Sequence, residues 1–525
     1  MTEAVTDKTL SELQSQLLWD RLLALVEEQA QTLMRTAFST VVREAGDLSA
    51  GVFDTQGRML AQAITGTPGH VNAMAAAVGH FLHRYPLRSL VPGDVLVTND
   101  PWLGTGHLND FTLVTPVFRD DQCVALFAST SHIADVGGRG FGPEAAEVFE
   151  EGLNIPVSKL FVAGERNDTL FDIVAANVRD PQVAEGDLYS LVTCNATSAE
   201  QLIRVLNEFG QNGPQQISQH ILSSSAEAMH RAIRELPEGR VENSMRVDGY
   251  DEPIDLHCTI DIAEGKILID FSGTSGASTK GINVPLNYTD AYASFGLRCL
   301  VGSGVPNNAG SLAAIEVTAP EQCILNAKSP AAVSARHALG QLLPDVVLGA
   351  MAKVLPDKVP AEGAACIWNP VLLSDIGETP AFVINPIYNG GTGARPDRDG
   401  LSTTAFPSGV RTTPTEINEV SAPLIIWQRE FAANSGGQGK YVGGAGQKIE
   451  ISHAEDRPFW ISRMFDRVHH AARGREGGEP GALGEIRLKS GEVLAGKGKS
   501  RVPAGDRLIM VTPGGGGHGS SENGN

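Results

Sequence analysis

A basic charge balance, paired cysteines, long apolar runs and a phosphate loop are all missing from this chain, and each absence removes a class of function. Lys and Arg number 41 against 61 Asp and Glu, for a formal net charge of −20. Duplex nucleic acids are bound through a basic footprint that displaces counterions, so a nucleic-acid partner is excluded. The six cysteines (Cys123, Cys194, Cys258, Cys299, Cys323 and Cys366) include no C-x-x-C pair. That spacing argues against a zinc ribbon or a disulfide framework and for reduced, buried thiols. Cys299, between Arg298 and Leu300 in an apolar stretch, reads as core. No apolar run approaches the roughly 20 residues of a membrane span. The polar start, Met1 to Gln16, has no apolar signal core. A soluble, cytoplasmic protein is the expectation. No G-x-x-x-x-G-K-[ST] string is present, so the run Gly514–Gly517 reads as a tight loop rather than a nucleotide cradle.

What the chain does have is glycine. Its 58 glycines point to tight turns and close backbone approaches rather than long helices. At 525 residues it exceeds one hydrophobic core, and two to four subdomains are expected. Apolar residues recurring from Leu10 to Met34 predict one amphipathic helix over 9–36. Strands are predicted over 48–54, 59–63, 94–99, 111–118 and 123–130, and a helix over 70–85. Further helices are predicted over 196–236, with a polar seam at 207–216, over 288–300 and over 333–354. A hairpin over 254–272 turns at Glu264-Gly265. Beyond about residue 380 the chain is Gly-rich, with short strands near 447–452, 459–463 and 506–511 and a polar tail at 520–525. The pattern is that of an α+β fold of several subdomains with antiparallel hairpins.

Arg119-Asp120-Asp121-Gln122 is a good hairpin turn between two strand-forming runs. With Asp120-Asp121 as a two-residue turn, residue i faces residue 241 − i. Asp110 then faces position 131, beside His132, and cross-strand neighbours lie about 4.5–5.5 Å apart. His107, in Gly104-Thr105-Gly106-His107, joins them only if its loop curls back. A straight strand would send positions 107 and 110 to opposite faces. Two imidazoles with one or two carboxylates suit Zn²⁺, Mn²⁺ or Fe²⁺ better than Ca²⁺ or Mg²⁺. Asp135 is placed to orient a ligand. A lone His-x-x-Asp is more often structural than ligating, and spacing alone does not reach Asp47. Three regions are expected: an N-terminal metal-binding region (1–245), a central α/β region (246–380) and a Gly-rich C-terminal region (381–525).

An ordered set of strings runs along the chain. It starts at Glu44-Ala45-Gly46-Asp47-Leu48-Ser49 and continues through Asn99-Asp100-Pro101, Gly106-His107-Leu108-Asn109-Asp110 and His132-Ile133-Ala134-Asp135. Later come Glu151-Gly152-Leu153-Asn154, Ala335-Arg336-His337, Ser435-Gly436-Gly437-Gln438-Gly439 and Thr512-Pro513-Gly514-Gly515. Together they resemble the hydantoinase B/oxoprolinase family. The resemblance implies the metal-binding subunit of an ATP-dependent hydrolase of cyclic amides, of the N-methylhydantoinase, 5-oxoprolinase or caprolactamase type. It implies that Asp47, His107, Asp110 and His132 bind Zn or Mn. It also implies a hydantoinase A-type partner that binds ATP and phosphorylates the substrate, in keeping with the missing phosphate loop. Acetone carboxylase alpha subunits are relatives, so an ATP-dependent ketone carboxylase subunit is the alternative. A non-catalytic assembly subunit is the second. Three positions depart from many relatives: Ile133 stands where a second histidine is common, Asn109 where proline is common, and Val442 where arginine is common.

Other residues have two readings each. His70 matches a family histidine and is a candidate proton shuttle, or it caps a helix. Glu151 is a candidate general base, or a solvated loop acid. Arg336-His337 binds an anionic substrate, or is a helix-surface pair. His469-His470, beside Arg467 and Arg473, reads as a solvated or interface loop.

Overall fold

The computed structural model describes residues 9–375, 377 and 381–521. Helix α1 (Glu12–Thr36) starts where Ser11 and Gln14 close a capping box, each side chain accepting from the other's backbone N–H. The short α2 (Thr40–Arg43) leads into β1 (Leu48–Phe53), β2 (Met59–Gln62) and α3 (Pro68–Arg84). With β3 (Val95–Thr98), β4 (Asp110–Arg119), β5 (Gln122–His132), β6 (Ser158–Val162) and β7 (Glu165–Arg166) the two strands form a seven-stranded antiparallel sheet, ordered β2-β1-β5-β4-β3-β6-β7.

Both faces of this sheet are covered. Val71, Met74, Val78 and Phe81 of α3 pack on Leu96, Val114 and Leu126. Two helices follow β7, α4 (Asp168–Asn177) and α5 (Pro181–Glu208). Leu188 and Leu191 of α5, with Leu33 of α1, cover Val97, Phe111 and Leu113 on the opposite face. Each fully buried Phe or Leu here stabilises the fold by roughly 1.5–3 kcal/mol. Covered on both sides, β1 is buried at every residue, so its apolar–polar alternation does not mark a solvent face.

The β4–β5 hairpin turns at Asp120-Asp121, with Asp120 left-handed at φ 53°. Arg119 faces Gln122 and Phe118 faces Cys123, the register expected from the turn. Val124 is then an extra residue, a β-bulge, beyond which Val117 faces Ala125 and Asp110 faces His132. The bulge thus moves His132 one place, from beside Asp110's partner to directly opposite Asp110.

The helical expectation over 196–236 resolves into α5 and α6 (Gln215–Arg234), parted near the polar seam. A second sheet combines β8 (Gly239–Val247), β9 (Ile254–Ala263), β10 (Lys266–Asp270) and β11 (Ile315–Thr318), with β10 and β11 parallel. Helix α7 (Leu286–Arg298) and the helix Leu343–Met351 pack on it in one core. The first expected region boundary, residue 245, falls inside β8, and the second, residue 380, lies outside the described residues. Segment 333–354 is not one helix. Residues 333–336 are a loop, followed by helices His337–Gly340 and Leu343–Met351. The Glu151 carboxylate takes the Val333 and Ser334 N–H groups, and Pro344 starts the second helix, where its missing N–H costs nothing.

The C-terminal part holds two four-stranded antiparallel sheets over a core in which Trp368 stacks on Phe465 at 4.4 Å. Glycine-rich segments there run side by side, joined backbone to backbone. Gly515 donates to the Gly444 carbonyl (3.0 Å), and its own carbonyl accepts from Gly437 (2.8 Å). A Cβ on Gly515 would stand 2.0 Å from the Thr392 oxygen. Gly514–Gly517 is therefore an extended member of this bundle and not a tight loop, and none of the four takes a left-handed φ. The tail expected at 520–525 lies outside the described residues from 522 onward. Cys299 is exposed, not core, because the α7 helix ends at Arg298 beside it. Among the described residues no helix is long and apolar enough to cross a membrane.

Candidate metal centre

Three adjacent strand ends build the site. His132 ends β5, and Asp110 begins β4 directly opposite it. On the other side β1 pairs with β5 from Leu48–Ser131 onward, and the His132 N–H donates to the Asp47 carbonyl (3.3 Å). Asp47 is therefore the next rung of the β1–β5 ladder. Gly46, left-handed at φ 72°, turns the chain into it from α2. His107 arrives as the loop reading required: the Asp110 N–H donates to the His107 carbonyl (3.4 Å), curling the segment back. Gly106 permits the curl at φ 97°, and a Cβ there would lie 2.6 Å from Arg336 Cδ. His70 comes from the first turn of α3, which Thr67 and Pro68 begin.

The geometry converges on Asp110, which is fully buried. His107 Nε2 lies 2.7 Å and His132 Nδ1 3.2 Å from its Oδ1. Its Oδ2 accepts from Thr105 Oγ1 (3.0 Å) and from Arg336, and lies 2.9 Å from His70 Nε2. Arg336 also donates to the Thr105 carbonyl (2.8 Å) and lies over the Tyr288 ring. Asp47 lines the same cavity but stands outside the three-donor group. Its Oδ1 accepts from Thr67 Oγ1 (3.0 Å) and sits 3.6 Å from His70 Nδ1.

Electrostatics sharpens this picture. Despite its burial, Asp110 is held well below the usual carboxylate range by His107, His70 and Arg336. Burial, then the Arg336 charge, pushes His107 down to about 4. Burial works against protonating His70, but the Asp110 and Asp47 carboxylates outweigh it and raise its pKa. His107 Nδ1 lies 2.9 Å from the Ser334 carbonyl, which only accepts, so the proton of the neutral ring is on Nδ1. In that tautomer His107 Nε2 faces the Asp110 carboxylate oxygen at 2.7 Å. A cation there, either a proton on the ring or a metal ion, satisfies both atoms. The buried His132 Nε2 and His70 Nδ1 also lack partners. One donor atom each from His107, Asp110 and His132 lies within 4.8 Å of the others, and this buried cluster could coordinate a divalent metal. The mixed nitrogen and oxygen donors suit a first-row ion. The adjoining cavity of about 20 Å³ has room for about one water.

The remaining candidates fall in different places. Arg336 and His337 are buried at the site and are not a helix-surface pair. His337 lines the cavity, donates from Nε2 to Asn369 Oδ1 (3.0 Å), and is pushed down to about 3 by burial and by Arg336. Glu151 does not line the cavity. Its Oε1 accepts from the Val333 (2.7 Å) and Ser334 (2.8 Å) N–H groups, and so holds the carbonyl that sets the His107 tautomer. Burial pushes Glu151 up to about 8. Asp135 turns away to Arg179 (2.6 Å) and orients no ligand. The Asp248 carboxylate accepts from the backbone of Val468, His469 and His470, so that loop is pinned at its backbone while the His469 side chain is exposed. Thr67, Thr105, Ser334 and Phe141 escaped sequence reasoning. Ser334 acts through its backbone, which leaves no side-chain signal, and the others sit in strings with no distinguishing spacing.

Two departures from the family pattern meet here. Ile133 is buried in the core behind the site. Asn109 Nδ2 donates to its carbonyl (2.9 Å), and the Ile133 N–H donates to the Asn109 carbonyl (2.7 Å). Together they extend the β4–β5 ladder by one rung. Val442 lies in the glycine-rich part, its N–H on Asp399 (2.8 Å), and does not line the cavity.

Fold and site define an enzyme of mixed α+β architecture with a buried carboxylate–imidazole centre able to hold a divalent cation. The family model "Hydantoinase B/oxoprolinase" matches residues 11–521, and the chain belongs to that family. A protein of Methanocaldococcus jannaschii is 31% identical, over 94% of this chain and 88% of its own length. A Pseudomonas sp. protein, one component of a putative D-/L-hydantoinase, is 27% identical, over 94% and 87%. The 5-oxoprolinase 1 of Arabidopsis thaliana is 30% identical over 95% of this chain, which spans 41% of that longer protein. Among solved structures, an ATP-dependent caprolactamase from Pseudomonas jessenii superposes with a TM-score of 0.88 at 22% identity, covering 98% of this chain and 92% of that one. A nucleotide-free acetone carboxylase superposes with a TM-score of 0.87 at 18% identity, covering 96% and 75%. At those identities the likeness is one of fold.

Proposed function

We propose that this chain is the metal-binding subunit of an ATP-dependent cyclic-amide hydrolase, acting on a hydantoin, 5-oxoproline or a related lactam. Its partner is a hydantoinase A-type protein that binds ATP. Asp47, His107, Asp110 and His132 are the ligands, and Zn or Mn the metal. The observation that carries the reading is the buried convergence of His107 Nε2 (2.7 Å) and His132 Nδ1 (3.2 Å) on Asp110 Oδ1, a three-donor cluster of metal-ligating size. The hydantoinase and oxoprolinase relatives supply the reaction class.

An amide carbonyl is a poor electrophile, and phosphorylation of its oxygen on the partner would remove the amide resonance, so that attack of water at that carbon is followed by cleavage of the C–N bond and hydrolytic release of phosphate. A divalent cation supplies Lewis acidity at neutral pH for attack on that carbon. The chain's own residues do the rest. Arg336 and Thr105 occupy Asp110 Oδ2, leaving Oδ1 turned to the two imidazoles. His70, between two carboxylates, holds a proton at Nε2 toward Asp110 and can release it as charge develops. Glu151 keeps His107 in its Nδ1-protonated form through Ser334. Phe141 and Tyr288 line the cavity with aromatic surface.

The test is co-purification with the ATP-binding partner, elemental analysis, and a panel of hydantoins and lactams with ATP, with and without bicarbonate. Stoichiometric metal and ATP-dependent ring opening without bicarbonate are expected. An absolute bicarbonate requirement with a carboxylated product would instead make the chain part of a ketone carboxylase. Full turnover by metal-free protein would sink the reading.

A further inference from the structure

The cavity beside His107 and His132 has room for about one water and not for a substrate ring. A second cavity, of about 180 Å³, adjoins it. Phe141 lines both. Its ring stands edge-on to His107 (5.7 Å) and His132 (5.1 Å) and stacks on His337 (5.7 Å). Gly140 precedes it at φ 81°, with nothing within 4 Å of where a Cβ would be. The ring therefore hangs from an uncrowded turn.

The second cavity has a distinct chemistry. Arg139, Arg179 and Lys499 line it, against Asp135 and Glu144. Asp135 is engaged by Arg179 (2.6 Å), while Arg139 reaches out to Glu150. Lys499 is exposed and lies 5.3 Å over the Trp460 ring, and no carboxylate among the described residues pairs with it. At the inner end the buried Ser462 hydroxyl has no partner. The cavity thus offers a cationic mouth, a buried hydroxyl donor and an aromatic inner wall against the metal ligands.

We propose that this second cavity is an anion-selective substrate chamber. Lys499 and the Ser462 hydroxyl hold a phosphoryl or carboxylate group of the substrate, and Phe141 is the movable partition between chamber and metal centre. The proposal rests on the reading of His107, Asp110 and His132 as metal ligands.

The test uses the full complex, loaded with metal and then stripped by two chelators, anionic dipicolinate and neutral ortho-phenanthroline. Phe141→Ala is expected to speed stripping by both, and Phe141→Leu, which disturbs packing less, to speed both by a smaller factor. Lys499→Glu is expected to slow dipicolinate by at least about threefold and leave phenanthroline unchanged, since only the anion feels the mouth. Phe141 variants stripped at the wild-type rate overturn the partition. A Lys499→Glu effect equal for the two chelators, or absent for both, overturns the anion-selective chamber. A wild-type complex that takes up no metal overturns the underlying metal reading instead, and this proposal with it.

Discussion

The metal centre and the glycine bundle are both buried and both gathered from distant segments, yet they are built from opposite materials. At the centre, the side chains of Asp110, His107, His132 and His70 make the contacts, while the strands behind them run regularly. In the bundle the close contacts run backbone to backbone, and neighbouring carbonyls fill the space a Cβ would need at the glycines. The two should therefore fail differently. A site made of side chains fails by chemistry and keeps its fold. A bundle made of backbone fails by volume and takes the fold with it.

The largest expected effect is at Asp110. Asp110→Asn keeps the shape and its hydrogen-bond partners but removes the charge between three imidazoles and Arg336. Metal content should fall below about a tenth, and turnover by about a thousandfold, a scale typical of losing a catalytic metal's anchoring group. Circular dichroism should stay unchanged; a loss of fold would break the comparison. Next is Gly515→Ala, which drives a methyl to within 2.0 Å of the Thr392 carbonyl. It should destabilise the chain by about 3 kcal/mol or more, read from denaturant midpoints, with normal metal content in the folded fraction.

A smaller effect separates positioning from proton transfer at Glu151. Its folded pKa of about 8 lies above the ordinary 4.5, so the folded chain keeps a proton that the unfolded chain releases. This contribution is full below about pH 4.5 and is lost as pH rises toward about 8. Glu151→Gln keeps the acceptor for Val333 and Ser334. It should flatten the thermal midpoint over that window and leave turnover within about fivefold. A hundredfold fall in turnover would return Glu151 to the role of base. The smallest effect is at Val442, remote from the cavity. Val442→Arg should change metal content not at all and turnover by no more than about twofold. A larger change would tie the glycine-rich part to the substrate.

Much of the N-terminal sheet was legible because its strands are bounded by clear turns, and the Asp120-Asp121 turn led to within one residue of the right pairing. The missing residue was the Val124 bulge, which a local pattern does not announce and which puts Asp110 and His132 face to face. Asp47 was reached through family resemblance alone, because its nearness to His132 depends on β1 pairing with β5 across more than seventy intervening residues. The 333–354 segment was misread as one helix, because a distant carboxylate, Glu151, captures the N–H groups that helix formation would have used.

By itself the sequence determined the residue types able to hold a metal and the hairpin that brings two of the donors together. These depend on neighbours along the chain, where turn chemistry and side-chain period act. Only the tertiary structure decided which atoms face one another. The His107 tautomer depends on a carbonyl at Ser334, and the ionisation of Asp110 on His107, His70 and Arg336 gathered around it. Burial makes each of these interactions strong, because water no longer competes for the same groups.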